Sequence, residues 1–138
     1  MPVQVGGLNH KAAPVELREK LAFNSTELKN RLDHGNLPHG VDEMVILSTC
    51  NRTEIYVCGE DSDRLRTAME ELLSAKRGEP VSFEDNSFYT FGEEMAARHL
   101  FRVSAGLDSM VLGESQILGQ VREAYRLAQE GQIGRAHV

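Results

Sequence analysis

Two cysteines, Cys50 and Cys58, are all that the 138 residues contain, too few for a disulfide framework. If a turn falls at residues 50 to 53 they are not cross-strand partners, and two free thiols are expected. No apolar run approaches the roughly 20 residues that span a bilayer. No cationic-plus-apolar leader precedes Val3. A soluble, cytoplasmic chain with no membrane association is therefore expected. Cations are in deficit: 15 Lys and Arg against 21 Asp and Glu give a formal net charge of -6. That balance argues against binding a polyanion by charge alone, though not against docking one end of a nucleic acid through a few contacts. Basic residues are scattered, without the basic-aromatic stripe that tracks a strand of nucleic acid. Phosphate loops are missing. Gly113 to Gly119 has the wrong spacing for a Walker motif and lacks Lys-Ser or Lys-Thr, and no Gly-x-Gly-x-x-Gly follows a strand. No dinucleotide site is expected in these residues. His34 and His39 flank Gly35 without any Cys or His at zinc spacing, and no metal is expected.

What is present is enough for a core: 41% of the residues are hydrophobic, which fits one domain or one domain with an appendage. Val3 to Leu8 alternates as a first strand. Asn9 to Pro14 is a polar turn, and Pro14 opens a short helix over Val15 to Leu21. Asn24-Ser25-Thr26-Glu27 has capping-box spacing and starts a helix through Leu28 and Leu32 to Gly35. Two runs of β-formers, Met44 to Leu47 and Ile55 to Cys58, flank a polar break and predict a hairpin. Asp61-Ser62-Asp63 caps a third helix carrying Leu65, Met69, Leu72 and Leu73, stopped by Gly78. Pro80 to Phe83 reads as a further strand, and Asp85 to Thr90 as a connection. Beyond Gly92 the period is helical. Met95, His99, Leu100 and Val103 share a face up to Gly106, and Leu107 to Leu112 is an apolar link. The longest helix covers Glu114 to Glu130, with Ile117, Val121, Ala124 and Ala128 in one stripe and Gly131 and Gly134 closing it. The order predicts an α+β fold, ferredoxin-like, with a small mostly antiparallel sheet covered by helices and followed by a helical subdomain. Residues 1–91 form the first unit and 92–138 the second.

The chemistry centres on Ser48-Thr49-Cys50-Asn51-Arg52-Thr53-Glu54. Cys50 falls at the polar break, where a side chain can face a cleft. With Thr49 before it and Arg52 two residues on, it has the setting of a nucleophile beside a cation, which favours the thiolate. A small buried cysteine at a strand end fits the same spacing. His99, on the apolar face of its helix, is a base or proton donor by its ordinary pKa near neutrality, or a satisfied core histidine. Ser109, Glu114, Ser115, Gln116 and Gln120 form a polar series into the last helix. They are a solvated face and good first-turn residues, or a helix start that presents donors to a carboxylate ligand.

Three stretches together resemble glutamyl-tRNA reductase: Gly7 to Val15, Ser48 to Glu54, and Ser104 to Ile117. The resemblance runs in order from near Gly7 to about Glu130. It implies an NADPH-dependent oxidoreductase that makes glutamate-1-semialdehyde from glutamyl-tRNA, the first committed step of tetrapyrrole synthesis by the five-carbon route. Cys50 matches the family's catalytic cysteine and His99 its activity-critical histidine. Thr49, Asn51, Arg52, Ser109, Glu114, Ser115, Gln116 and Gln120 match its glutamyl-binding residues. The resemblance further implies that NADPH is bound outside this chain, in a Rossmann-type domain, and that a helical dimerisation domain follows. A homodimer and glutamate-1-semialdehyde aminomutase are the implied partners of the full-length enzyme. The thiolate would attack the aminoacyl ester and leave an enzyme thioester for hydride reduction. Two rival readings are a non-catalytic module that binds charged tRNA or a partner protein, and a cysteine hydrolase. The hydrolase would need a third group to orient the histidine.

Overall fold

The computed structural model describes residues 2–104 and 116–136, with the side chains of 2–104 and 117–131. Four strands form one sheet: β1 (Val3–Asn9), β2 (Glu43–Ser48), β3 (Arg52–Cys58) and β4 (Tyr89–Gly92), in the order β2-β3-β1-β4. Every pairing is antiparallel. Helices α1 (Val15–Lys20) and α2 (Ser25–Leu32) connect β1 to β2, and α3 (Ser62–Arg77) connects β3 to β4. That order and connectivity is the expected ferredoxin-like arrangement, with the β1–β2 connection split into two helices. Helices α4 (Glu93–Ser104) and α5 (Gln116–Ala136) follow.

Residues paired across antiparallel strands share a face of the sheet. Leu8, Thr53 and Ser48 line up, as do Gly6, Ile55 and Ile46. This face meets α1, α2 and α3 and builds the main core with Leu21, Leu32, Leu65, Met69 and Leu73. The other face carries Asn9 and Arg52, then Tyr89, Gly7, Glu54 and Leu47, then Phe91, Val5, Tyr56 and Val45. Leu47 there packs with Val103 of α4 and with Ile117 and Ala124 of α5. β1 places one glycine on each face. A Cβ on Gly6 would lie 2.4 Å from the Phe83 ring, and one on Gly7 2.0 Å from the Thr53 carbonyl oxygen.

Local signals act as read in most elements. Asn24 and Glu27 close a capping box on α2, Asp61 accepts from the amides of Asp63 and Arg64 at the start of α3, and Gly78 ends α3 with φ of 80°. Helix α2 stops at Leu32 rather than Gly35, because the Asp33 side chain caps a short 3-10 turn over His34–Asn36. β4 passes into α4 with no connecting residue, and Glu93 takes φ of 52° at the junction.

Three readings are corrected. The stretch from Pro80 to Phe83 is not a strand; β4 lies at Tyr89–Gly92, inside and just beyond the expected connection. Val81 and Phe83 are buried, which produces the alternation. Their amides donate to side chains instead of a ladder, Val81 to Ser74 Oγ at 2.8 Å and Phe83 to Glu70 Oε2 at 2.9 Å. On α4, Met95 and Leu100 face outward, and Ala96, His99 and Val103 face the sheet. Gly131 does not close α5, which continues to Ala136. A Cβ at Gly131 would stand 2.5 Å from the Leu32 carbonyl oxygen, so this glycine permits a close approach to the end of α2. The expected end at Gly106 and the link Leu107 to Leu112 lie outside the described residues.

Two glycines of α5 should therefore respond oppositely to alanine. Gly119→Ala adds a Cβ that meets nothing within 4 Å and should stabilise the chain by about 0.5–1 kcal/mol through helix propensity. Gly131→Ala should destabilise it by about 1–3 kcal/mol, because backbone atoms must move aside. Urea denaturation of both variants measures the difference.

Candidate active site

The site starts from the hairpin between β2 and β3. Thr53 Oγ1 donates to the Leu21 carbonyl at 3.1 Å, so the Ser48 hydroxyl, 3.3 Å away, donates to Thr53. Ser48 Oγ in turn accepts the Phe23 amide at 2.9 Å. These bonds pin both legs of the hairpin to the α1–α2 connection. The turn itself is closed by the Thr49 amide donating to the Arg52 carbonyl at 2.7 Å. Thr49 Oγ1 also accepts the amides of Asn51 and Arg52, each at 3.2 Å. With those groups satisfied locally, Cys50 is held outward and exposed as a free thiol. Cys58, at the far end of β3, is half-buried. Burial, with the carboxylates of Glu43 and Asp42 beside it, pushes its thiol up, which keeps it protonated and unreactive.

Beside the hairpin, on the face covered by α4, polar groups converge on Glu54. Its side chain is fully buried. It accepts from Arg52 Nη1 at 3.3 Å, from the Tyr56 hydroxyl at 3.0 Å, and from the Tyr89 hydroxyl and the His99 ring. Gly7 stands between Glu54 and Tyr89 in the register, and its lack of a side chain leaves the path across β1 open. The Tyr89, Phe91 and His99 rings pack together with centroids 5.1–5.5 Å apart. Burial pushes the Glu54 carboxyl up, but the bond and charge of His99, the Arg52 guanidinium and the Tyr89 hydroxyl outweigh it and hold the carboxyl below its usual range. Burial first, then the Glu54 charge, pushes the Tyr89 phenol well above its ordinary value. Glu54 is thus an ionised acceptor and Tyr89 a neutral donor, which requires the His99 nitrogen facing Glu54, Nε2, to carry a proton.

A cleft of about 560 Å³ opens over this cluster, lined by Asn9, Lys11, Tyr89, Phe91, His99 and Arg102 among others. Asn9 is paired with Arg52 in the sheet register, so cleft and hairpin tip lie at the same end of the sheet.

The structure brings together Thr49, Cys50, Asn51, Arg52 and His99 from the predicted set. Arg52 is 2% exposed and engaged by Glu54, so it is a buried cation and not an open one. Gln116 begins α5, and Gln120 is exposed one turn on. Ser109, Glu114 and Ser115 lie outside the described residues. Sequence reasoning passed over Glu54, Tyr56 and Tyr89 as site residues. The available signal was a carboxylate at an alternate position of an apolar strand with a cation two residues before it, which places both on one face.

Fold and cluster define a ferredoxin-like domain with an outward thiol on a hairpin tip, backed by a buried acid–imidazole network. The chain belongs to the family of glutamyl-tRNA reductase N-terminal domains: the family model described as "Glutamyl-tRNAGlu reductase, N-terminal domain" matches residues 6–137. Curated relatives named glutamyl-tRNA reductase include those of Rubrobacter xylanophilus, 50% identical over 94% of this chain, and Synechocystis sp., 43% identical over 94%. This chain spans 30% of the length of each of them. The solved glutamyl-tRNA reductase from Methanopyrus kandleri superimposes with a TM-score of 0.68 at 36% identity, covering 94% of this chain and 28% of that one.

Removing the charge of Glu54 tests the network. Glu54→Gln keeps the shape but takes the carboxylate away from the buried Arg52 guanidinium, and should cost about 3–5 kcal/mol at neutral pH. Because the folded carboxyl titrates below its ordinary value, its stabilisation is present above the unfolded pKa and is lost as pH falls through the lowered folded pKa. The gap between wild type and variant in urea denaturation should therefore narrow as pH drops below the ordinary carboxylate range.

Proposed function

We propose that this chain is the catalytic domain of an NADPH-dependent glutamyl-tRNA reductase and carries out the acyl-transfer step. The supporting observation is the exposed Cys50 on a turn whose neighbours are all tied down, next to the His99–Glu54–Arg52 cluster. The ester of a charged tRNA is an activated carbonyl. The Cys50 thiol gives up its proton as the sulfur forms a bond to that carbon, the bond to the tRNA ribose oxygen breaks, and the oxygen takes a proton and leaves. His99, oriented by Glu54, is the group proposed to supply it.

Thr49, Asn51, Arg52, Ser109, Glu114, Ser115, Gln116 and Gln120 are proposed to hold the glutamyl group. Arg52 would act on its carboxylate from a low-dielectric position, where a charge counts for more, and so favour glutamyl over uncharged glutaminyl. On this reading residues 1–91 supply the nucleophile and 92–138 complete the substrate site. The product that the family resemblance implies, glutamate-1-semialdehyde on the route to tetrapyrroles, needs a hydride donor. The described residues do not fit a dinucleotide. Every strand pairing among them is antiparallel, so no two neighbouring strands form the parallel βαβ unit that cradles a pyrophosphate in a dinucleotide fold. Reduction is therefore assigned to NADPH held by residues other than these. A homodimer and hand-over to glutamate-1-semialdehyde aminomutase rest on the family resemblance.

A thioester without a hydride partner stays open to water. The chain alone should convert glutamyl-tRNA slowly to free glutamate and tRNA, and make no aldehyde with saturating NADPH. Cys50→Ser should abolish this deacylation and the glutamyl adduct seen on Cys50 by mass spectrometry, while Cys58→Ser should keep both. Labelled glutamate followed with and without NADPH measures the outcome. Aldehyde from this chain, or an adduct on Cys58, would contradict the assignment.

A further inference from the structure

The two oxygens of Glu54 are used unequally. Oε2 accepts from the Tyr89 hydroxyl, from His99 Nε2 and from Arg52 Nη1 at 3.3 Å, while Oε1 accepts from the Tyr56 hydroxyl at 3.0 Å. A carboxylate oxygen offers two lone pairs, so the donors on Oε2 divide its charge. Tyr89 also packs its ring against the imidazole, with centroids 5.3 Å apart, and Phe91 packs there at 5.1 Å. Burial and the Glu54 charge push the Tyr89 phenol well up, so this donor persists at alkaline pH. The remaining charged groups around the ring are cations: Lys11 just beyond the end of β1, and Arg98 and Arg102 on α4, with Arg98 also meeting Glu94 at 3.0 Å. Helix α5 meets α4 through apolar contacts of Val103 with Ile117 and Ala124.

The bond to Glu54 decides which end of the imidazole can work. Turning the ring over about its Cβ–Cγ bond would set Cε1 against the carboxylate and forfeit the hydrogen bond. With Nε2–H spent on Glu54, proton exchange falls to Nδ1. Acyl transfer releases a proton from the Cys50 thiol and needs one on the ribose oxygen. A neutral ring takes the first at Nδ1 and gives it to the second, ending the step as it began. The Glu54 charge opposes the return, because the more of it falls on His99, the more firmly the ring keeps a second proton. Resting on the acyl-transfer reading above, we propose that Tyr89 is a positioning residue for this step. By sharing Oε2 of Glu54 with His99 and flanking its ring, Tyr89 keeps Nδ1 as the exchanging nitrogen and limits the hold of the carboxylate on the second proton.

Tyr89→Phe keeps the ring and removes the hydroxyl, while Tyr56→Phe takes a donor from the other oxygen and serves as the structural control. Ring-nitrogen NMR of neutral His99 in the wild type should place the proton on Nε2, a readout that needs no variant. The midpoint of the His99 titration should rise by roughly one pH unit in Tyr89→Phe, and by clearly less in Tyr56→Phe. With glutamyl-tRNA, Tyr89→Phe should form the Cys50 adduct roughly tenfold more slowly at neutral pH. KM should be unchanged, and the rate should recover above the displaced acidic limb. A wild-type proton on Nδ1, a rate loss that no pH restores, a loss confined to KM, or equal midpoints in the two variants would each overturn the proposal. Equal midpoints would make Tyr89 one structural donor among several. If wild type leaves no adduct on Cys50, the acyl-transfer reading fails separately, and the NMR titrations still decide whether Tyr89 governs His99.

Discussion

A carboxylate with no access to water has to be surrounded by donors, and at Glu54 those donors come from three elements. Arg52 and Tyr56 are its strand neighbours, Tyr89 reaches from β4, and His99 comes down from α4. An isolated buried charge would cost several kcal/mol, so the site persists only with all the elements seated. This requirement accounts for otherwise separate features. β4 must pair with β1 in the register that sets Tyr89 against Gly7, Gly7 must be bare, and α4 must return across the sheet and not away from it. The apolar patch of Leu47, Val103, Ile117 and Ala124 stands beside the polar cluster and holds α4 and α5 on that face.

Within Ser48 to Glu54 the residues divide by direction. Ser48 and Thr53 point to the main core side and lash the hairpin to the α1–α2 connection. Arg52 and Glu54 point to the opposite face and form the charged network. Thr49 spends its hydroxyl oxygen on the turn, which leaves Cys50 at the apex. A nucleophile on a loop is precise only if the loop is, and here two hydroxyls and a buried ion pair supply the rigidity.

The periodic part of the fold was legible in the sequence. The hairpin, the capped α2 and α3, and the α+β order follow from alternation, capping residues and Gly78, all local signals. Pro80 to Phe83 misled because alternation reports burial, and a chain can bury alternate residues while its amides bond to Ser74 and Glu70 instead of a neighbouring strand. Gly131 misled because a glycine that ends a helix and one that admits a neighbouring backbone look identical in sequence. Cys50, Arg52 and His99 were legible as candidates, and the resemblance singled them out. What tied them together was not legible, since Glu54 and Tyr89 are 35 residues apart and only the β1 register brings them within reach.

The junction of β4 and α4 has a further consequence. Glu93 adopts a left-handed backbone that a glycine would hold without strain, and no loop residue separates strand from helix. The floor of the cleft, from Tyr89 and Phe91, and its wall, from His99 and Arg102, are therefore consecutive pieces of one stiff segment. Ordering them costs conformational entropy once, when the chain folds. A ligand entering afterwards meets surfaces that are already fixed relative to each other, and more of its contact energy remains available as affinity.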